Sequence, residues 1–174
     1  MKKSILLSIV CALALIAPSL STAGYGGSGG SGKASAGLDK LKSLAGVWEG
    51  TGPDGGAMTV TYEVVSKGSV VMETISHATE PDMITMYHVD GDRLMMTHYC
   101  GLGNQPRMKA SVPAGDIKEL KFTFVDGTNM KKADMHMHAL VMTFVDNSHM
   151  NQVWSLYDKG KLEGDHAFNL TKKS

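Results

Sequence analysis

Turn signals at short, regular intervals constrain the fold of this 174-residue chain more than any other feature. From Gly46 onward, pairs such as Asp90-Gly91 and Asp126-Gly127 separate short runs rich in apolar, β-branched and aromatic residues, at the spacing of about 8–12 residues that is typical of all-β sandwiches and barrels. Ten runs are distinguishable, at 46–51, 58–66, 69–77, 83–89, 93–100, 107–112, 119–125, 134–145, 149–157 and 162–171.

The absence of long helical patterns between these runs excludes parallel βαβ units. Closure removes the exposed edges that so many strands would otherwise leave. The sequence therefore predicts an all-β fold, an antiparallel up-and-down closed barrel of about ten strands. Ten strands enclose a lumen slightly larger than side chains alone fill, so we expect a cavity for a ligand.

The first residues have the pattern of a secretory signal peptide. Lys2 and Lys3 precede an apolar run at 5–17, and small residues follow up to Ala23. The run is shorter than the roughly 20 residues that a membrane span requires. We expect cleavage near Ala23 and a periplasmic or secreted mature protein without a membrane span.

The mature chain is predicted to contain a linker and one domain. Residues 24–37 are rich in Gly and Ser and indicate a flexible linker. Leucines at helical spacing predict one short helix at residues 38–45, which Gly46 ends. The barrel domain is expected to span residues 38–172.

Composition excludes several classes of function. The full chain has a net charge of zero, and removal of residues 1–23 makes it slightly acidic, so no basic surface for nucleic acid is predicted. Cys100 is the single cysteine after residue 23, which excludes an internal disulfide. The chain has no phosphate-binding glycine loop, no nucleophilic serine elbow and no His-Glu-x-x-His motif, so an enzyme is the less favoured interpretation.

The sequence Gly46-x-Trp48-x-Gly50-x-Gly52, placed after a short helix and before nine further β runs, resembles the opening of calycin barrels. This superfamily includes lipocalins, fatty-acid-binding proteins and haem-binding nitrobindins, and the similarity is greatest to uncharacterised exported lipocalin-like domains of bacteria. The resemblance implies that Trp48 plugs the base of the barrel. It also implies a haem ligand near the C-terminus, for which His166 is the candidate.

The hairpin at residues 97–107 concentrates polar side chains at strand ends, where binding sites are often found. We expect the barrel mouth or lumen to be formed by a mixed polar and apolar set that comprises His98, Tyr99, Asn104, Gln105, Arg107, Met96 and Met142. His98 and Cys100 share a face by alternation, so a Cys–His nucleophile is a less favoured alternative.

A second candidate site is metal-binding. Asp134, His136 and His138 alternate along one run and should project from the same face, a set of donors that suits zinc or copper. The same alternation continues to Leu140, which places the histidines inside the barrel or at its mouth.

The favoured function is an exported binding module that holds a small apolar or amphipathic molecule in the barrel lumen. A haem- or metal-binding barrel that uses His166, or His136 with His138, is one alternative. A structural domain with a filled lumen is another.

Overall fold

The computed structural model describes residues 32–174, apart from residues 53 and 132. The predicted signal peptide and most of the predicted linker lie outside these residues. Within the described part of the chain, no helix combines the length and apolarity that a membrane crossing requires.

The chain forms one short helix followed by ten β-strands. The helix α1 spans Lys33–Lys42. The strands are β1 Gly46–Thr51, β2 Ala57–Val65, β3 Val70–His77, β4 Met83–Asp90, β5 Arg93–Tyr99, β6 Gln105–Ser111, β7 Glu119–Thr128, β8 His136–Phe144, β9 His149–Asp158 and β10 Lys161–Lys172. Each strand corresponds to one predicted run, with ends that differ by at most three residues.

The strands form a closed antiparallel barrel in up-and-down order. Each strand pairs with its neighbours in sequence, and β1 pairs with β10 to complete the ring. Trp48 lies opposite Lys172 in this closing pair. The predicted fold class is therefore confirmed.

The helix begins at Lys33, five residues before its predicted start, and takes in residues that the sequence pattern assigned to the linker. The pattern missed these residues because Ala34 and Gly37 are small, yet both are buried against the barrel. A side chain at position 37 would meet Leu94 and Val112, which explains the glycine there.

Helix α1 closes one end of the barrel. Its buried residues, Leu38 and Leu41 among them, pack on the ends of β2 to β5. Trp48 is 1% exposed, and its indole N–H donates to the Leu44 carbonyl at 2.8 Å. The prediction that Trp48 is buried at the base of the barrel is confirmed.

Apolar side chains fill the half of the lumen nearer the helix. Alternate residues of the strands point inward, and the set that is buried there includes Leu94, Met96, Met108, Leu120, Phe122, Leu140, Met142 and Leu170. The base of the barrel is thus filled by side chains.

Candidate ligand-binding site

A cavity of about 430 Å³ lies at the end of the barrel opposite helix α1. It is bordered by the β1–β2 turn, the end of β3, the start of β4 and the turn after β5. Its walls are mainly apolar and include three thioethers; the apolar residues that line it are Met58, Ile75, Met83, Leu102, Met137, Leu156 and Phe168. Apolar walls with a few polar groups are typical of small-molecule sites, and the flexible thioethers can adapt to a ligand's shape.

The polar groups on the cavity wall are two carboxylates, two imidazoles and a thiol. They belong to Asp54, His77, Glu80, Cys100 and His166. None of the described residues that line the cavity is a lysine or an arginine. The wall therefore offers no fixed positive charge to an anionic ligand.

Two glycines leave room for the imidazole of His77 at the rim of the cavity. The ring nitrogen Nε2 lies 3.2 Å from the Asp54 carboxylate, and Nδ1 lies 3.1 Å from the Thr79 hydroxyl. A Cβ atom at Gly52 would lie 3.0 Å from Nε2, and one at Gly56 would lie 2.8 Å from it. The last glycine of the Gly-x-Trp-x-Gly-x-Gly sequence thus makes room for an imidazole at the mouth.

A buried carboxylate lies in the lumen, on Glu73 of β3. Tyr62 and Tyr87 donate to its two oxygens at 2.6 and 2.8 Å, and the Gln152 amide donates to it at 2.5 Å. Trp154 in turn donates to the Gln152 carbonyl at 2.9 Å. A buried carboxylate is costly unless hydrogen bonds satisfy its oxygens. These three donors therefore allow Glu73 to lie in the lumen.

Burial dominates the protonation behaviour of this network. It raises the pKa of Glu73 above its usual value, although the hydrogen bonds from the tyrosines and the amide oppose this shift. Burial, together with the neighbouring Glu73 charge, raises the pKa values of Tyr62 and Tyr87 well above the usual range. Both phenols are therefore hydrogen-bond donors at neutral pH.

His98 of β5 joins the network through Thr85. Its Nδ1 lies 2.9 Å from the Thr85 hydroxyl, a group that also acts to lower the pKa of Glu73. The imidazole is 1% exposed and packs on the Trp154 ring at a centroid distance of 4.5 Å. Burial lowers the pKa of His98 to about 4, so the ring is neutral at pH 7.

Two buried polar atoms have no hydrogen-bond partner among the described residues. They are Nε2 of His98 and Oδ1 of Asn104. The Asn104 amide donates to the Met135 carbonyl at 2.8 Å, which ties the β7–β8 loop to the barrel mouth. Such atoms in native proteins call for a specific explanation.

The remaining polar residues of the 97–107 hairpin lie away from the cavity. Tyr99 is half exposed on the outer face, and Gln105 bonds the Gly103 carbonyl and the Thr128 hydroxyl. Arg107 pairs with Asp126 on the surface. Alternation along β6 explains this separation, since Asn104 faces inward and its odd-numbered neighbours face outward.

Met96 and Met142, both predicted to contact a ligand, are fully buried in the filled base and do not line the cavity. Cys100 lines the cavity and is partly buried, and burial raises the pKa of its thiol. A raised pKa leaves little thiolate at neutral pH, which disfavours the nucleophilic role.

A bulge in β8 changes the directions that were predicted for the side chains of His136 and His138. The register with β9 shifts between Met137 and Ala139, so Met137 rather than His138 faces the cavity. Simple alternation cannot anticipate such an inserted residue. The expected alignment of both histidines with Leu140 is therefore broken.

The two histidines nevertheless contact each other. Nε2 of His136 lies 3.0 Å from Nδ1 of His138, and Nδ1 of His136 lies 2.7 Å from the Asp134 carbonyl. The Asp134 carboxylate instead accepts from the Lys131 backbone N–H. Within residues 32–174 less 53 and 132, no group of three or more His, Cys, Asp or Glu side chains is arranged to hold a metal ion.

Sequence reasoning missed the Glu73 network and most of the cavity wall. One signal was available: Val71, Glu73 and Ile75 alternate in β3, and the flanking residues are apolar and buried. A carboxylate at the middle position of such a run must lie in the lumen. His166 was identified, and it does line the cavity.

Comparisons with known proteins support the fold only. No family model and no curated protein matches the chain. A crystal structure of a protein of unknown function from the DUF3598 family of Nostoc punctiforme matches with a TM-score of 0.53 and 10% identity, over 76% of this chain and 49% of that one. The present chain thus spans about half of that protein's length.

A second match is the crystal structure of Rv2717c from M. tuberculosis, with a TM-score of 0.53 and 15% identity, over 79% of this chain and 97% of that one. At these identities the likeness concerns the barrel and carries no function. A calycin-like barrel is compatible with both matches, and no comparison places the chain in the lipocalin family.

Proposed function

We propose that the protein is a binding module that holds a small apolar or amphipathic molecule in the mouth of the barrel. The observation that carries this proposal is the cavity of about 430 Å³ with mainly apolar walls. Its volume falls within the range of about 300–1,000 Å³ that is common for small-molecule sites. The filled base below it would keep the ligand at the open end.

A neutral apolar fluorophore, N-phenyl-1-naphthylamine, tests this proposal. Its emission should rise on binding the folded protein and fall when decan-1-ol displaces it. Leu156→Trp fills the cavity and should abolish the rise. Val153→Trp is the matched control, because Val153 lies on the opposite face of the same strand and pairs with Val141. Equal fluorescence with both variants would contradict binding in the cavity.

A haem-binding barrel is the second candidate, favoured by the position of His166 on the cavity wall. Its imidazole would bind the iron, and the apolar side chains of Phe168 and Leu156, which line the same cavity, would contact the porphyrin. When bound, the iron would supply ligand or redox chemistry. Added haemin should then give a Soret band that His166→Ala removes and His77→Ala retains. An unchanged spectrum in His166→Ala would exclude this residue as the ligand.

The contact between His136 and His138 favours a metal site as a further alternative. Two nitrogens 3.0 Å apart can both bind one ion at bond lengths of about 2.0–2.1 Å. His136 also donates from Nδ1 to the Asp134 carbonyl, and hydrogen bonds of this kind orient the imidazoles that bind metals in proteins. Calorimetric titration with Zn²⁺ and Cu²⁺ should give binding that His136→Ala eliminates and His149→Ala preserves. Equal heats from both variants would refute the site.

We also propose export to the periplasm or beyond, on the evidence of the basic and apolar pattern of residues 1–23. Intact-mass measurement of protein recovered from outside the cytoplasm should show a mature N-terminus near residue 24. Recovery of exported protein with Lys2 still present would contradict cleavage.

A further inference from the structure

The fixed charges on the described wall of the cavity are both negative. Asp54, in the β1–β2 turn, and Glu80, in the β3–β4 connection, line the cavity, and no described residue of its wall is a lysine or an arginine. The lysines in the other connections at this end of the barrel, Lys131, Lys159 and Lys161, do not line it. A molecule in the cavity would therefore meet a negative mouth.

The Asp54 carboxylate is anionic and accessible. Its Oδ1 accepts from the Gly56 backbone N–H at 2.9 Å and lies 3.2 Å from Nε2 of His77. The hydrogen bond from Gly56 is the main cause of the lowered pKa of Asp54, and His77 lowers this pKa further, so the carboxylate is charged at neutral pH. Both contacts use one oxygen and the side chain is 60% exposed, so a cation can approach the other oxygen.

The apolar wall begins directly after each carboxylate in the chain. Asp54 precedes β2, whose Met58 lines the cavity, and Glu80 precedes β4, whose first residue Met83 lines it too. Glu80 is exposed and forms no salt bridge with the residues that the structure describes. The cavity thus combines an apolar interior with a rim that carries uncompensated negative charge.

We propose that the ligand is a cationic amphiphile, such as a long-chain amine or a quaternary ammonium compound, whose apolar chain lies in the cavity and whose positive head lies beside Asp54 and Glu80. This inference rests on the proposed function and names the ligand class of the same cavity. The apolar wall, which includes Leu156 and Phe168, suits the chain, and the two carboxylates attract the head. They would repel the head group of a fatty acid.

Ligands that share one alkyl chain and differ in the head group test this charge preference. Decyltrimethylammonium, decan-1-ol and decanoate are compared as competitors of N-phenyl-1-naphthylamine at neutral pH and low ionic strength, below the concentrations at which they form micelles. Decyltrimethylammonium should bind about fivefold or more tightly than decanoate, because each exposed charge pair contributes a factor of up to about five. The ratio should shrink in about 0.5 M NaCl, which screens exposed charges.

A double variant connects the preference to the two carboxylates. Asp54→Asn with Glu80→Gln removes both charges at nearly constant size, and the amide oxygen at position 54 can still accept from the Gly56 N–H. This variant should bind the probe and lose the preference for the cation. Asp92→Asn with Asp116→Asn is the matched control, since it removes the same net charge from exposed connections at the helix end. Circular dichroism verifies that both variants fold.

The outcomes separate this inference from the proposed function. If the probe binds and decanoate competes as well as decyltrimethylammonium, the inference is wrong and the binding module stands. Retention of the full preference in Asp54→Asn with Glu80→Gln would also overturn the inference, as would its loss in the control variant. If the probe does not bind at all, both proposals fail together.

Discussion

The buried neutral state of His98 predicts that the protein loses stability in mild acid. Burial holds the pKa of this imidazole at about 4 in the folded protein, against 6.5 for an exposed histidine. Between these two values the unfolded chain binds a proton that the folded protein does not. Stability must therefore fall as the pH falls through this window, and it is fully present above it.

The magnitude follows from the two pKa values. Between pH 7 and pH 5 the contribution of His98 should fall by about 2 kcal/mol, on the scale of 1.36 kcal/mol for each pKa unit. Glu73 acts with the opposite sign, because its raised pKa makes the folded protein bind the proton more tightly and favours the fold at lower pH. Its effect cancels when two proteins that both contain Glu73 are compared.

His98→Phe is the informative perturbation, because it keeps an aromatic ring against Trp154 and removes the titratable group. Urea unfolding at pH 7 and pH 5 should show that the wild type loses about 2 kcal/mol more than the variant over this interval. Met86→Phe is the control: Met86 faces outward from β4, so this variant adds a ring without removing a titratable group, and it should keep the wild-type slope. An equal response of wild type and His98→Phe to pH would show that His98 is not a buried neutral base.

Three further predictions concern the barrel frame and its lumen. Trp48→Ala should lower the free energy of unfolding by about 3–5 kcal/mol, measured by urea denaturation, because it empties the base beside Leu44. Gly50→Ala should cost about 1–3 kcal/mol in the same assay, since its Cβ would overlap the Asn169 carbonyl, whereas Gly164→Ala, with open space around it, should cost less. Glu73→Leu should cost more than about 1 kcal/mol, because it leaves two buried phenols without their acceptor; a thermal midpoint equal to that of the wild type would show that the network does not contribute.

The spacing of turns and the alternation within strands were sufficient to predict the barrel. The two inward-facing apolar residues of β5, Leu94 and Met96, follow from the period of two. Trp48 could be placed at the base because the sequence Gly46-x-Trp48-x-Gly50-x-Gly52 resembles the opening of calycin barrels. These features depend on local pattern, which a single sequence contains.

The binding site was less accessible to prediction, for two physical reasons. The β8 bulge inserts a residue without any mark in the sequence, so the directions of His136 and His138 were wrong by one position. The cavity also joins residues from many strands, such as Met58 and His166, whose proximity depends on barrel stagger. Sequence separation hides that proximity, and only the closed structure brings these side chains to one mouth.

Closure of the ring joins segments that are synthesised at opposite ends of the domain. Lys173 donates to the Glu49 carboxylate at 2.6 Å across 124 positions of sequence. Contacts this distant form slowly, because the ordering of a long loop must precede them. Until β10 has left the ribosome, β1 and β9 each present an unpaired edge, and a second nascent chain can pair with it. The protein should therefore become resistant to proteolysis and self-association only when the twelve residues of β10 have been synthesised and have closed the ring.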